Sequence, residues 1–225
     1  METQKLSLVH LVHQPSSTNG APPLLLLLHG VGSNEHDLFE LAPALDKRFL
    51  IISVRAPITL APGNYAWFEV DFRPGAPPLI DPAEAEASRK ALLRFINEAV
   101  TAYGADPSQV YLMGFSQGAI MSASIMLTQP KLIAGAVLMS GRVLPEVLPL
   151  RAPTEELEGF PVLLVHGRSD AVLPIHYAHE SRQLLLQLPV KLDYHEYAMG
   201  HEVSLQSLAD VSQWLSKQLD NKKSK

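Results

Sequence analysis

Apolar residues along the 225-residue chain fall into two kinds of pattern. The first is the short unbroken run. Leu24 to Leu28 is the clearest, bounded by Pro23 and Gly30, and reads as a strand buried on both faces. Phe49 to Val54, Val110 to Phe115, Ile133 to Met139, Pro161 to Val165 and Val190 to Tyr194 read as further strands. At the N-terminus, Lys5 to His13 alternates Leu6, Leu8 and Val9 with polar residues, as a half-exposed strand would. Ser16 to Pro23 is a polar turn containing Pro and Gly.

The second pattern is helical. Asp81 is a candidate cap, Pro82 fits the first turn, and Glu84 and Glu86 suit its positive end. Leu92, Leu93, Ile96, Val100 and Tyr103 then share one face. Further helices are expected over Asn34 to Leu45, capped by Ser33 or Asn34, and over Gln117 to Thr128, Ile175 to Leu188 and Val203 to Leu219. The stretch Ile58 to Asp81 is irregular and rich in Pro and Gly, and a loop that long is usually functional. Asp220 to Lys225 reads as a frayed tail. Buried strands alternating with amphipathic helices predict one α/β domain over 1–225, with a mostly parallel sheet covered on both faces.

Composition narrows the function without deciding it. With 47% hydrophobic and 18% charged residues the chain is globular, and a formal charge of −5 gives no reason to expect nucleic acid as a partner. No cysteine is present, so disulfides, thiolate catalysis and Cys-ligated zinc are excluded. No signal peptide is visible at the N-terminus, and no apolar run is long enough for stable membrane insertion. The expectation is a cytoplasmic protein.

The chemistry gathers around Gly114-Phe115-Ser116-Gln117-Gly118, a G-x-S-x-G sequence between a predicted strand and a predicted helix. The chain must turn sharply at Ser116, and flanking glycines remove side chains that would collide with neighbouring backbone. Five residues of this kind arise by chance often enough that context must support them. A serine hydroxyl needs a base, and a base needs a carboxylate to orient it. His201, on the Gly-containing loop after the last strand, is the candidate base. Asp170, on the loop after Pro161 to Val165, is the candidate acid, and the order Ser, Asp, His is the one this fold uses. Asp193 and Glu196 compete less well, one inside a strand and the other close to the histidine loop. Backbone N–H groups of Val31 and Gln117 are the candidate oxyanion donors. His29 reads as a ring bracing the first of these loops.

Taken together these segments resemble the phospholipase/carboxylesterase family of α/β-hydrolases, which includes bacterial carboxylesterases and acyl-protein thioesterases. The matching stretches are Leu28 to Gly32, Ala66 to Glu69, Gly114 to Gly118, Leu138 to Gly141, Val165 to Gly167 with Asp170, and Gly200-His201. The resemblance implies an α/β-hydrolase fold without a large lid, acting on carboxylic esters, lysophospholipids or acyl thioesters. It implies a small-molecule ester or acyl substrate and allows a homodimer. Val31 takes an oxyanion-loop position where relatives often carry leucine. Between Gly141 and Phe160 the chain has only a Pro-rich connection where a cap domain is often inserted, and Val143 and Leu144 are candidates to line one side of a shallow acyl groove. Trp67 and Phe68 are candidates for its other wall. A metal site built from His166, His176 and His179 is the competing chemistry, but no H-E-x-x-H sequence occurs and an activated serine needs neither metal nor cofactor.

Overall fold

The computed structural model describes residues 4–16, 20–71 and 79–223. Its centre is a seven-stranded sheet built from β1 (His10–His13), β2 (Leu24–Leu28), β3 (Leu50–Val54), β8 (Val110–Phe115), β9 (Gly135–Met139), β10 (Pro161–Gly167) and β11 (Lys191–Tyr197). The spatial order is β1-β3-β2-β8-β9-β10-β11, with β1 antiparallel to β3 and the other neighbours parallel. The intervening numbers belong to two small hairpins, β4 (Ile58–Ala61) with β5 (Asn64–Ala66), and β6 (Val70–Asp71) with β7 (Leu79–Ile80). The described parts of the stretch from Ile58 to Asp81 are therefore more regular than its sequence suggests; residues 72–78 lie outside the described residues.

Alternate positions of each central strand feed different layers, because successive side chains leave a strand on opposite faces. Leu24, Leu26 and Leu28 join Leu112, Leu138 and Leu164 beneath α1 (Pro82–Tyr103) and α2 (Gln117–Thr128), with Leu185 of α3 (His176–Leu186) in the same cluster. Leu25 and Leu27 join Met113, Val137 and Val165 beneath α4 (Leu205–Lys223). Both layers exclude water, which is why the strand sequences are unbroken runs. The start of α1 forms as its sequence predicts: Asp81 accepts a hydrogen bond from the Ala83 N–H at 2.8 Å. Gly104 closes it in the left-handed conformation at φ 62°.

Three expectations change. Asn34 to Leu45 is not an α-helix; the helical part is a 3-10 segment, Leu38–Ala44, with Pro43 inside it. Proline removes a backbone donor and clashes with the preceding turn, so an α-helix cannot propagate there. Asn34 is occupied in a local turn, where its side chain accepts from the His36 N–H at 3.0 Å. The N-terminal ladder spans only His10–His13, although Leu6 and Leu8 still pack against the core. The C-terminal helix continues to Lys223 instead of fraying at Asp220, whose carboxylate pairs with Arg48 at 2.6 Å. Of the polar turn and the tail, residues 17–19 and 224–225 lie outside the described residues.

Between β9 and β10 there are two short 3-10 segments, Pro145–Leu150 and Thr154–Leu157, and no cap domain. Among the described residues no helix is long and apolar enough to cross a membrane. Replacing Leu26, which is 0% exposed, with alanine should cost about 2–5 kcal/mol in urea unfolding. The same change at Leu205, 89% exposed, should stay within about 0.5 kcal/mol. Equal effects at the two positions would contradict the layering.

Candidate active site

Ser116 sits between the last residue of β8 and the first of α2, with φ 52° and ψ −115°. A non-glycine residue there is strained by about 1–3 kcal/mol, so its surroundings must hold it. They do so at close range. A Cβ on Gly114 would lie 2.2 Å from the Gly118 carbonyl oxygen, and one on Gly118 would lie 1.8 Å from that of Leu28. Only glycine permits either approach. The Ser116 N–H donates to Met139 O at 2.8 Å, and its own carbonyl accepts from Ala119 and Ile120 at 3.0 and 3.1 Å. The elbow is thus tied to both neighbouring strands and to the helix that follows.

Asp170 and His201 meet on adjacent loops beyond β10 and β11. The Asp170 side chain is fully buried, and its Oδ2 lies 2.7 Å from His201 Nδ1. Its other oxygen accepts the Val172 and Leu173 N–H groups at 2.9 and 2.8 Å. Those two amides fix the carboxylate, and the carboxylate fixes the ring by favouring a proton on Nδ1. Gly167 lets the histidine loop close down, since a Cβ there would lie 2.3 Å from Gly200 O. The His201 ring packs against Phe115, centroids 4.9 Å apart, beside the elbow. No hydrogen bond joins His201 to Ser116 among the described residues; such contacts commonly tighten only with substrate present.

The competing groups are engaged elsewhere. Asp193 accepts from Trp214 Nε1 at 2.7 Å. Glu196 takes His179 and the Tyr194 hydroxyl at 2.9 and 2.8 Å. Among the described residues no three His, Asp or Glu side chains are arranged to hold a metal ion.

A cavity of about 40 Å³ opens over Ser116, bounded by Val31, Gln117, Phe68, Ile120 and Leu173. The N–H groups of Val31 and Gln117 donate no hydrogen bond among the described residues. His29 is buried beneath this loop, with Nδ1 at 2.7 Å from Gly30 O and Nε2 accepting the Ala56 N–H at 3.0 Å. Hairpin β4–β5 holds the loop from outside, through Gly32 N–H to Tyr65 O at 2.9 Å and Tyr65 N–H to Ser33 O at 2.8 Å.

Phe68 reaches the cavity wall, while Trp67, Val143 and Leu144 do not. Trp67 is 0% exposed and donates from Nε1 to His29 O at 3.0 Å, so it braces the loop from within the core. Val143 and Leu144 are buried and open onto two other cavities, because the 3-10 segment after them turns along α2. No local sequence pattern signals what the Gln117 side chain does. Its amide accepts the Trp67 N–H at 2.7 Å and donates to Phe68 O at 2.6 Å, clamping the segment before β6 onto the elbow. Nor does any local pattern signal Arg142, which lines the cavity one residue beyond the matching Leu138 to Gly141 stretch.

These features define an α/β-hydrolase of the carboxylesterase and thioesterase type. Residues 12–219 match the family model described as Phospholipase/Carboxylesterase, and the chain belongs to that family. It is 26% identical to acyl-protein thioesterase 1 of Kluyveromyces lactis, covering 94% of this chain and 98% of that one. It is 26% identical to carboxylesterase SOBER1 of Arabidopsis thaliana, covering 88% of this chain and 92% of that one. The crystal structure of the Bacillus cereus carboxylesterase superposes with a TM-score of 0.79 at 27% identity, covering 94% of this chain and 95% of that one.

Burial lowers the pKa of both His29 and His166 from the ordinary 6.5, so both rings are neutral in the folded protein. Below pH 6.5 the unfolded chain takes up protons that the folded chain refuses. Their contribution to stability is therefore present above that pH and falls as pH drops through it. Urea midpoints measured from about pH 7.5 to about pH 5 should fall, and His166→Asn should remove one ring's share of the slope. An unchanged slope in that variant would show that the ring titrates normally.

Proposed function

We propose that this chain hydrolyses carboxylic esters of short to medium acyl chains through an acyl-enzyme, with Ser116 as nucleophile, His201 as base and Asp170 as orienting acid. One observation carries the reading: the 2.7 Å contact between a buried Asp170 carboxylate and His201, whose ring packs on Phe115, the residue before a strained serine at a helix N-terminus. In the first step His201 Nε2 takes the Ser116 proton while Oγ bonds to the substrate carbonyl carbon. The carbonyl oxygen becomes negative and is held by the N–H groups of Val31 and Gln117, a service that removal of one donor typically shows to be worth about 3–4 kcal/mol. The tetrahedral carbon then collapses, the bond to the leaving oxygen breaks, and that oxygen takes the proton from His201. Water repeats the sequence on the acyl-serine and restores the enzyme. Asp170 keeps its charge throughout and stabilises the imidazolium.

A thioester would enter the same sequence with sulfur leaving, and the likeness to acyl-protein thioesterase 1 favours testing it alongside. A lysophospholipid would use the same three side chains. The small cavity and the absence of a cap domain support the shorter acyl groups.

A chromogenic short-chain ester should give a burst of one leaving group per chain, and a fluorophosphonate should label the Ser116 peptide. Ser116→Ala should abolish labelling and lower kcat by about 10⁴-fold or more, and Asp170→Asn by about 10³–10⁴-fold. Full activity in Ser116→Ala would exclude the mechanism. Matched oxygen esters and thioesters of increasing acyl length would then rank the substrates.

A further inference from the structure

The cavity over Ser116 is walled by apolar side chains apart from Ser116, Gln117 and one cation, Arg142. Ester hydrolysis as derived above gives that cation nothing to do. Arg142 also lines a second groove of about 210 Å³, with Tyr177, Ser181 and Leu184 on its far side. It is the one residue common to the two linings, so it stands where they adjoin. Its guanidinium carbon lies 5.1 Å from the centre of the Tyr177 ring, a cation–π position. The ring satisfies a face of the group and none of its five N–H donors. Among the described residues Arg142 makes no hydrogen bond and no ion pair. Glu180 borders the same groove but is exposed on α3 and does not pair with it. Arg142 itself is half-buried.

A guanidinium whose N–H donors meet no protein acceptor can be met by an anion supplied by a ligand, through a charge-assisted hydrogen bond. We infer that the groove adjoining the Ser116 cavity is a subsite for a negatively charged group of the substrate, carboxylate or phosphate, with Arg142 as the specificity-determining residue. The preferred substrates are then anionic esters, despite the net negative charge of the chain. The subsite rests on the hydrolase reading above.

The test compares paired esters that differ in charge, with enzyme-free rates subtracted. In one arm the anion is in the acyl part, para-nitrophenyl hydrogen glutarate against para-nitrophenyl hexanoate. In the other it is in the leaving group, para-carboxyphenyl butyrate against phenyl butyrate. The readout is the ratio of kcat/KM, anionic over neutral, taken within each variant so that a general loss of activity cancels. In at least one arm the wild-type ratio should exceed that of Arg142→Gln by about tenfold or more, and that arm identifies which side of the ester the subsite serves. Arg142→Lys should fall between, since a point charge replaces a planar fork. Equal ratios for wild type and Arg142→Gln in both arms would overturn the subsite while leaving the esterase intact. No turnover of any ester, with Ser116 unlabelled by a fluorophosphonate, would overturn the hydrolase reading itself and the subsite with it.

Discussion

Backbone meets backbone at the elbow, where Gly118 of α2 packs directly on the carbonyl of Leu28 at the end of β2. The space left there, 1.8 Å from a would-be Cβ to that oxygen, admits no side chain. That approach brings the first turn of α2 down onto the sheet and forces the chain through positive φ at Ser116. It also sets the end of β2, and hence the His29 to Ser33 loop, beside the N-terminus of α2. Ser116 and the residues that carry the two amides, Val31 and Gln117, consequently border one small cavity. A larger residue at position 118 would have to push the helix and the strand apart, and the amides would separate with them.

A second constraint works from the other side of the same sheet edge. The Asp170 carboxylate is buried, which would be expensive if its lone pairs were unmet. Two backbone amides and His201 meet them. The neutral His166 ring lies 3.4 Å from the same carboxylate and donates to Leu173 O at 2.7 Å, so the turn carrying Val172 and Leu173 is braced at both ends. Leu173 also forms part of the cavity wall. Asp170 is thereby joined mechanically to the wall of the cavity over Ser116.

The proposed catalytic groups and the cavity wall are held by different parts of the molecule. The elbow, Asp170 and His201 sit on strand ends and tight loops anchored in the two hydrophobic layers. The far wall, with Val70 and Ile80, comes from hairpin β6–β7, and the cation comes from the connection after β9. Variation in those outer segments can change substrate preference while the inner framework stays put.

The order of elements, the G-x-S-x-G turn and the Asp170 and His201 loops were legible because each depends on local pattern. Unbroken apolar runs mark buried strands, glycines mark a turn no other residue can make, and Asp81-Pro82 starts a helix by its own chemistry. The same locality explains the misreading at Asn34 to Leu45, where apolar spacing suggested an α-helix and Pro43 prevented one. What only the tertiary structure decided is which side chains share a space. Trp67 and Phe68 are adjacent in sequence, yet one braces the core and the other meets the cavity, because successive side chains diverge. Gln117 clamps a segment about 50 residues away, and Arg142 comes to border two cavities at once. Such meetings depend on how separate elements pack in three dimensions, and the pattern of a single segment carries no information about its distant neighbours.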